Sequence, residues 1–333
     1  MMNRVDTEKM FLTNDGFNLT CEELAEEDLK IARHFIETTR HLQEIHHLFL
    51  IFKNDIDNLQ KEYVLMNNGN VFSEQNAANS EMDYISVNSH IINIISAGRT
   101  LVESMECYIE NNSDIGGEKQ KYLDFYHNTY DSSFAYRFLI RLRDYSQHGH
   151  LPVSSMRNNY FFDLIQIANK PHYNHNRSLK EQMESIIDEI LEKYHNIPTI
   201  SLTETLAEYV VKLLAIYKMF WYQTEEELTE ACTKFQTAVS CYPNNIIKEQ
   251  EGLDGLFIYD VVDGNAHVVD PNDKPDEMVI RFKKEAEDIF EEYADAYKEV
   301  LDGNLRIKLS DGRIDIEPGL DFAEKAIECS EIY

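Results

Sequence analysis

The sequence predicts a mainly α-helical protein, a helical bundle followed by a small C-terminal α+β domain. Three observations predict it. Apolar residues recur at three- and four-residue steps through several long segments, the helical period. Only 12 glycines and 7 prolines punctuate 333 residues, a scarcity that suits long helices better than a turn-rich sandwich. After Pro243 the texture changes to short β-branched and aromatic runs around Asp-Gly turns. The expected organisation is an N-terminal extension over 1–19, a helical bundle over 20–242 and an α+β domain over 243–333.

The elements follow in order. A first helix is expected over 20–67, with Thr20 as N-cap, Glu22 and Glu23 in an acidic first turn, and Phe35, Leu42, Ile45, Phe49, Phe52, Ile56 and Leu59 on its apolar face. A helix of this length either runs unbroken, kinks or returns on itself. The polar stretch 67–80 reads as a loop. A second helix over 81–109 carries Ile85, Val87, Ile91, Ile94, Ile95, Leu101, Val102 and Met105, a broad apolar surface typical of the centre of a bundle. A loop over 111–119 and a short helical piece to His127 precede a third major helix, expected from an Asp131 N-cap to His148 and stopped by Gly149 and Pro152. Further helices are read over 179–195 and 203–241, between loops carrying Pro171 and Pro198. Beyond Pro243 come a hairpin about Asp263-Gly264-Asn265, a charged helix over 275–301, a second strand-turn-strand in 305–316 and a short final helix.

Charge narrows the function. Against 31 Lys and Arg stand 60 Asp and Glu, a net charge of −29, so diffuse attraction to nucleic acid or an anionic membrane cannot hold this chain there. Any polyanion must be met locally. Composition is that of a folding chain, 43% hydrophobic against 27% charged. No apolar run reaches the roughly 18 residues of a membrane span, and the first residues lack the apolar core of a signal peptide, so a soluble cytoplasmic protein is expected. The five cysteines are dispersed and form no CxxC, which reads as reduced thiols with no zinc site. No phosphate-binding loop, dinucleotide fingerprint, HExxH or GxSxG occurs, and no cofactor is expected.

Chemistry concentrates in the helix end Tyr136 to Ser155, YRFLIRLRDYSQHGHLPVSS. Arg143 and His148 are five residues apart, about 140° around an ideal helix, whereas Asp144 and His148 share a face. Because Gly149 and Pro152 end the helix, the last turn can loosen and bring the imidazole toward the arginine, with Asp144 orienting it. Such a trio suits phosphodiester cleavage without a metal: histidine moves the proton of a ribose hydroxyl, and arginine neutralises charge gathering on the phosphate. One histidine does not serve easily as base and acid in one step, so a symmetric dimer supplying a second copy fits the chemistry. On the residues alone the same trio reads as surface ion pairs with His148 capping a helix C-terminus.

The motif RDYSQH resembles the signature of the HEPN superfamily of helical-bundle ribonucleases. The pairing of SVNSHIINIISAGRTLVES (86–104) with SFAYRFLIRLRDYSQHGHLPV (133–153) is similar to bacterial proteins with a YRFL…RNYxQHxxLP-type helix end. The likeness covers a third to half of the chain and none of the region after Pro243. It implies a HEPN-like bundle that dimerises through the motif and cleaves RNA without metal, in antiphage defence, a toxin–antitoxin pair or a stress response. Carried over, Arg143 is the phosphate-binding arginine, Asp144 the polar residue after it, and His148 the catalytic histidine. Asparagine is common where Asp144 stands, and the aspartate adds negative charge beside the arginine.

Other residues rank lower. Gln147, His150 and Arg99 are candidates for substrate contact; Arg99 also has Glu103 at i+4 for a plain ion pair. His148 and His150 lack adjacent carboxylates for a metal site. His34, His41, His46 and His47 do not fall on one face of their helix, and His172 and His175 sit in a polar loop able to touch bases. Tyr126, Tyr130 and Tyr136 read as core or bundle-edge aromatics. The expected partners are RNA, a second copy of the chain and a regulatory protein. The competing function is a non-catalytic interaction module of the same fold, binding a protein or a nucleotide.

Overall fold

The computed structural model describes residues 10–13, 22–23, 25–68, 76–112, 118–156, 159–170, 177–194, 197–240, 256–260, 266–269, 275–296, 307–310 and 313–316. In chain order these form β1 (Met10–Thr13), β2 (Glu22–Glu23), α1 (Glu26–Asn68), α2 (Asn76–Asn112), α3 (Glu118–Ser132), α4 (Phe134–Gln147), β3 (Ser154–Met156), β4 (Asn159–Asp163), α5 (Leu164–Ala168), α6 (Arg177–Glu189) with a π-helical turn Ile190–Tyr194, β5 (Thr199–Ser201), α7 (Leu202–Ser240), β6 (Leu256–Asp260), β7 (Ala266–Val269), α8 (Pro275–Ala296), β8 (Ile307–Ser310) and β9 (Arg313–Ile316). The protein is mainly α-helical, as the apolar periodicity predicts.

Several boundaries differ from the sequence expectation, each for a physical reason. Glu22 and Glu23 form β2, paired antiparallel with β1, instead of a first helical turn; Glu26, Glu27 and Asp28 supply the acids at the N-terminus of α1. α1 is one helix of 43 residues, about 65 Å long. Residues 76–80, read as loop, open α2. The N-cap of α4 is Ser133, not Asp131: its extended backbone (φ −113°, ψ 117°) lets Oγ accept from the Tyr136 amide at 3.1 Å, while Asp131 still belongs to α3. A three-stranded antiparallel sheet, β3-β4-β5, occupies a stretch where no strand is predicted. Thr20, the Asp-Gly turns, the 171–176 loop and the final short helix lie outside the described residues.

The chain resolves into two compact units. One comprises residues 1–44 and 221–285. Its sheet is antiparallel in the order β2-β1-β6-β7, with Phe11 opposite Tyr259 and Phe257 opposite Val268, so the N-terminal segment shares a sheet with the hairpin after Pro243. Its helical part holds a stacked Phe35–Phe235 pair at 4.3 Å, Trp221 on Phe282 at 4.9 Å, and Lys283 bonded to Glu225 at 2.7 Å.

The other comprises residues 45–220 and 286–333 and contains α2 to α6, the three-stranded sheet and the N-terminal half of α7. From Thr205 to Lys218 every residue of α7 is buried, the mark of a helix surrounded on all sides. α2 approaches it closely at Gly98, where a Cβ would overlap the Tyr209 hydroxyl and lie 2.8 Å from Leu213 Cδ1. Phe52, Tyr209, Tyr136, Phe138 and Phe162 continue this core through stacked and edge-on ring pairs. Ile85, assigned by periodicity to the apolar face of α2, is instead half exposed. β8 and β9 form a separate antiparallel hairpin.

Candidate functional site at the end of helix α4

α4 owes its place to its inward face. Phe134, Phe138, Leu142 and Tyr145 are buried, together with Ala135, Tyr136, Leu139 and Ile140. At its start, the Ser133 hydroxyl donates to the Glu208 carboxylate of α7 while capping its own helix. The helix N-terminus is thus bonded to the central helix of its unit. Glu208 and Lys212 are both buried, one turn apart. Burial raises the Glu208 pKa against the opposing effects of Ser133 and Lys212, and burial pushes the Lys212 amine down to about 8.

The other end carries the motif. His148 is the C-cap, with φ −88° and ψ 16°, and its amide donates to the Asp144 carbonyl at 3.3 Å. The Gly149 amide donates to the Ser146 carbonyl at 3.0 Å, and Gly149 adopts φ +83°, the left-handed conformation that ends helices and that only glycine adopts without cost. His148, Gly149 and Gln147 are exposed. Arg143 is partly buried, and its Nε is wholly buried with no acceptor among the described residues. No ion pair joins Arg143 to Asp144 among the described residues, while His148 caps the helix C-terminus, as the non-catalytic reading of the trio also has it.

The chain leaving the motif is clamped. Asn88 of α2, 1% exposed, donates from Nδ2 to the Val153 carbonyl at 3.3 Å and accepts the Val153 amide on Oδ1 at 2.9 Å. Nδ2 also donates to the Tyr84 carbonyl of its own helix at 3.1 Å. Pro152 and Val153 are buried, and the sheet begins directly after them. The five residues 148–152 therefore run between a hydrogen-bonded helix end and an amide-to-backbone clamp. His150 packs its ring 4.8 Å from that of Tyr145, so it lies against the last turn of α4.

Arg99 sits in a different environment. Its Nε donates to Glu103 Oε1 at 2.6 Å within α2, the i to i+4 pair that the spacing permits. Burial opposes the guanidinium charge, and the bond and charge of Glu103 outweigh it, holding Arg99 above its ordinary pKa. Its other titratable neighbours are Tyr126, pushed up to about 12 by burial and by Glu106, and Glu106 itself, raised by burial. Tyr126 and Tyr136 are core residues, as read from the sequence. His46 is buried with Nδ1 3.0 Å from the Tyr217 hydroxyl, while His34 and His47 are exposed. Among the described residues no three His, Cys, Asp or Glu side chains gather as metal ligands, and no helix is long and apolar enough to cross a membrane. Cys107 and Cys232 are in no disulfide among the described residues, and the other three cysteines lie outside them.

Sequence reasoning missed the residues that hold the site in place. Of Ser133, Glu208 and Lys212, the last two carried a legible signal, an acid and a base one turn apart in the otherwise apolar run LAEYVVKLLAIY. Asn88 gave less, a lone amide on an apolar helix face. Compared with known proteins, the chain matches no family model, and no curated protein or solved structure is significantly similar to it.

Proposed function

We propose that the end of α4 is the active site of a metal-independent endoribonuclease of HEPN type, acting as a homodimer through the Arg143–His148 motif. The observation that carries this reading is the arginine: a partly buried guanidinium on the motif helix whose Nε meets no acceptor, five residues before an exposed histidine on a fixed helix end. A guanidinium engaged by no protein carboxylate among the described residues would take up an oxyanion through its terminal nitrogens.

In this mechanism His148 takes the proton of a ribose 2′-hydroxyl as the 2′ oxygen bonds to phosphorus. Arg143 neutralises the negative charge on the non-bridging oxygens, and the P–O5′ bond breaks. His148 of the second protomer protonates the departing 5′ oxygen, leaving a 2′,3′-cyclic phosphate and a 5′-hydroxyl. Gln147 and His150 would contact the nucleotides on either side. Asp144, four residues before His148, would orient the imidazole. Antiphage defence or a toxin–antitoxin pair, with a regulatory protein holding the activity silent, is the setting that the resemblance implies.

The rival reading is a non-catalytic interaction module. The net charge of −29 favours it, because RNA must approach a strongly acidic chain, with Asp144 next to the arginine. Incubation of wild type and His148→Ala with tRNA in EDTA separates the two. The ribonuclease reading expects cleavage by wild type and a loss of about 100-fold or more in the folded variant. Equal cleavage by both proteins removes His148 from the mechanism, and no cleavage by either favours the interaction module.

A further inference from the structure

A second arginine on α4 is more deeply buried than Arg143 and, among the described residues, forms no ion pair. Arg137 is 8% exposed. Its Nη1 donates to Ser178 Oγ at 3.4 Å and its Nη2 to Gln182 Oε1, both on α6, and its Nε is buried without an acceptor among the described residues. Both partners are neutral. Buried arginines are ordinarily paired with a carboxylate, because a desolvated cation facing only neutral dipoles is costly. Acids are not scarce in this chain, which has 60 of them against 31 bases. Nor does the stretch leading into α6 supply one, since residues 171–176, PHYNHN, contain no Asp or Glu. The nearest acid in sequence on α6, Glu181, is engaged by Arg177 at 2.7 Å.

We infer that Arg137, with Ser178 and Gln182, forms a binding site for a phosphate group, which provides the missing negative charge. The site is approached from the α6 side, where Ser178 and Arg177 are both exposed. Ser178 accepts a hydrogen bond from Arg137 and keeps its own hydroxyl proton to donate. Gln182 accepts from the guanidinium and so fixes its plane. A guanidinium edge and a hydroxyl offer donors out of one plane, which suits a tetrahedral phosphate better than a planar carboxylate. The site does not require the end of α4 to be catalytic: the phosphate can be a free ion or a phosphoester, or it can belong to an RNA backbone.

The test uses the full chain. Binding of radiolabelled inorganic phosphate is measured by equilibrium dialysis, and melting is compared in phosphate and in chloride at equal ionic strength. Wild type should bind phosphate and melt higher in it, and Arg137→Gln should bind roughly tenfold more weakly or worse. Should that variant not fold, Ser178→Asp decides, because position 178 is exposed and the new carboxylate sits where the phosphate would. That protein should melt higher than wild type in chloride and gain nothing from phosphate. No phosphate-specific binding by wild type, an undiminished phosphate response in Ser178→Asp, or wild-type affinity in folded Arg137→Gln would each overturn the site. Competition distinguishes the sources: a short RNA that displaces the labelled phosphate from wild type, but has no site on Ser178→Asp, assigns the group to an RNA backbone. Displacement only by small phosphoesters assigns it to a free ligand.

Discussion

Replacing Asn88 by alanine should loosen the motif without touching it. In the folded protein the Asn88 amide satisfies both the N–H and the C=O of Val153, at 2.9 and 3.3 Å, and all three groups are buried. Truncation leaves two buried backbone groups without partners. At about 1–3 kcal/mol for each, and with water replacing part of the loss, the expected destabilisation is about 2–4 kcal/mol. The effect should also be local: the clamp is what ends the 148–152 segment, so the amides of Gly149 and Val153 should exchange with solvent far faster than those of α7. Urea unfolding gives the first quantity and hydrogen exchange the second. Asn88→Asp is the sharper control, since it keeps the acceptor for Val153 N–H, loses the donor and adds a buried charge. A change in stability below about 0.5 kcal/mol, with Val153 still protected, would show that the clamp does not position the motif.

Other perturbations reach the same architecture from different sides. Gly98→Ala should cost about 1–3 kcal/mol in urea unfolding by driving a methyl group into the Tyr209 hydroxyl and Leu213 where α2 meets α7; a neutral result would mean that the helices can part freely. Gly149→Ala should cost about 1 kcal/mol by strain at φ +83° alone, since nothing lies within 4 Å of the added Cβ. Lys212 sets a pH dependence. Its amine is pushed down to about 8 by burial while the unfolded chain keeps its proton to about 10.4, so the unfolded state binds more protons in that interval. Stability should therefore rise with pH from about 8 to 9.5, by about 2 kcal/mol, before the buried tyrosines reverse the trend. Urea titrations of wild type and Lys212→Met check this, and a variant with the same slope as wild type would assign it to another group.

Much of the fold could be read because helices announce themselves locally. The three- and four-residue apolar spacing placed α7 to within one residue and α1 and α2 to within six, and Phe134, Phe138, Leu142 and Tyr145 are buried as their spacing requires. Strand pairing is non-local and was read less well. β1 is four residues long and its partner β6 lies some 250 residues away, so nothing within the segment declares the pair. β3, β4 and β5 are short strands held by their register and by Phe162 against Phe138, a contact with no period in the sequence. At the site, the helix stop at Gly149 was legible from glycine chemistry, because the left-handed turn needs that residue. The Asn88 clamp and the Ser133–Glu208 bond were not, since they join residues 65 and 75 positions apart. Asp131 was chosen over Ser133 as the cap because both residue types serve, and only the run of the backbone separates them.

The central claim is that Arg143 and His148 form a metal-free centre for RNA cleavage, and the chemistry of the product ends tests it most directly. Wild type, Arg143→Ala and His148→Ala are each incubated with total RNA in EDTA, and every new 3′ end is analysed. The account predicts 2′,3′-cyclic phosphates from wild type and none from either variant, alone or mixed, because a mixed dimer carries a single His148 where the mechanism uses two. New ends produced equally by the His148→Ala protein, or ends bearing a free 3′-hydroxyl, would contradict it.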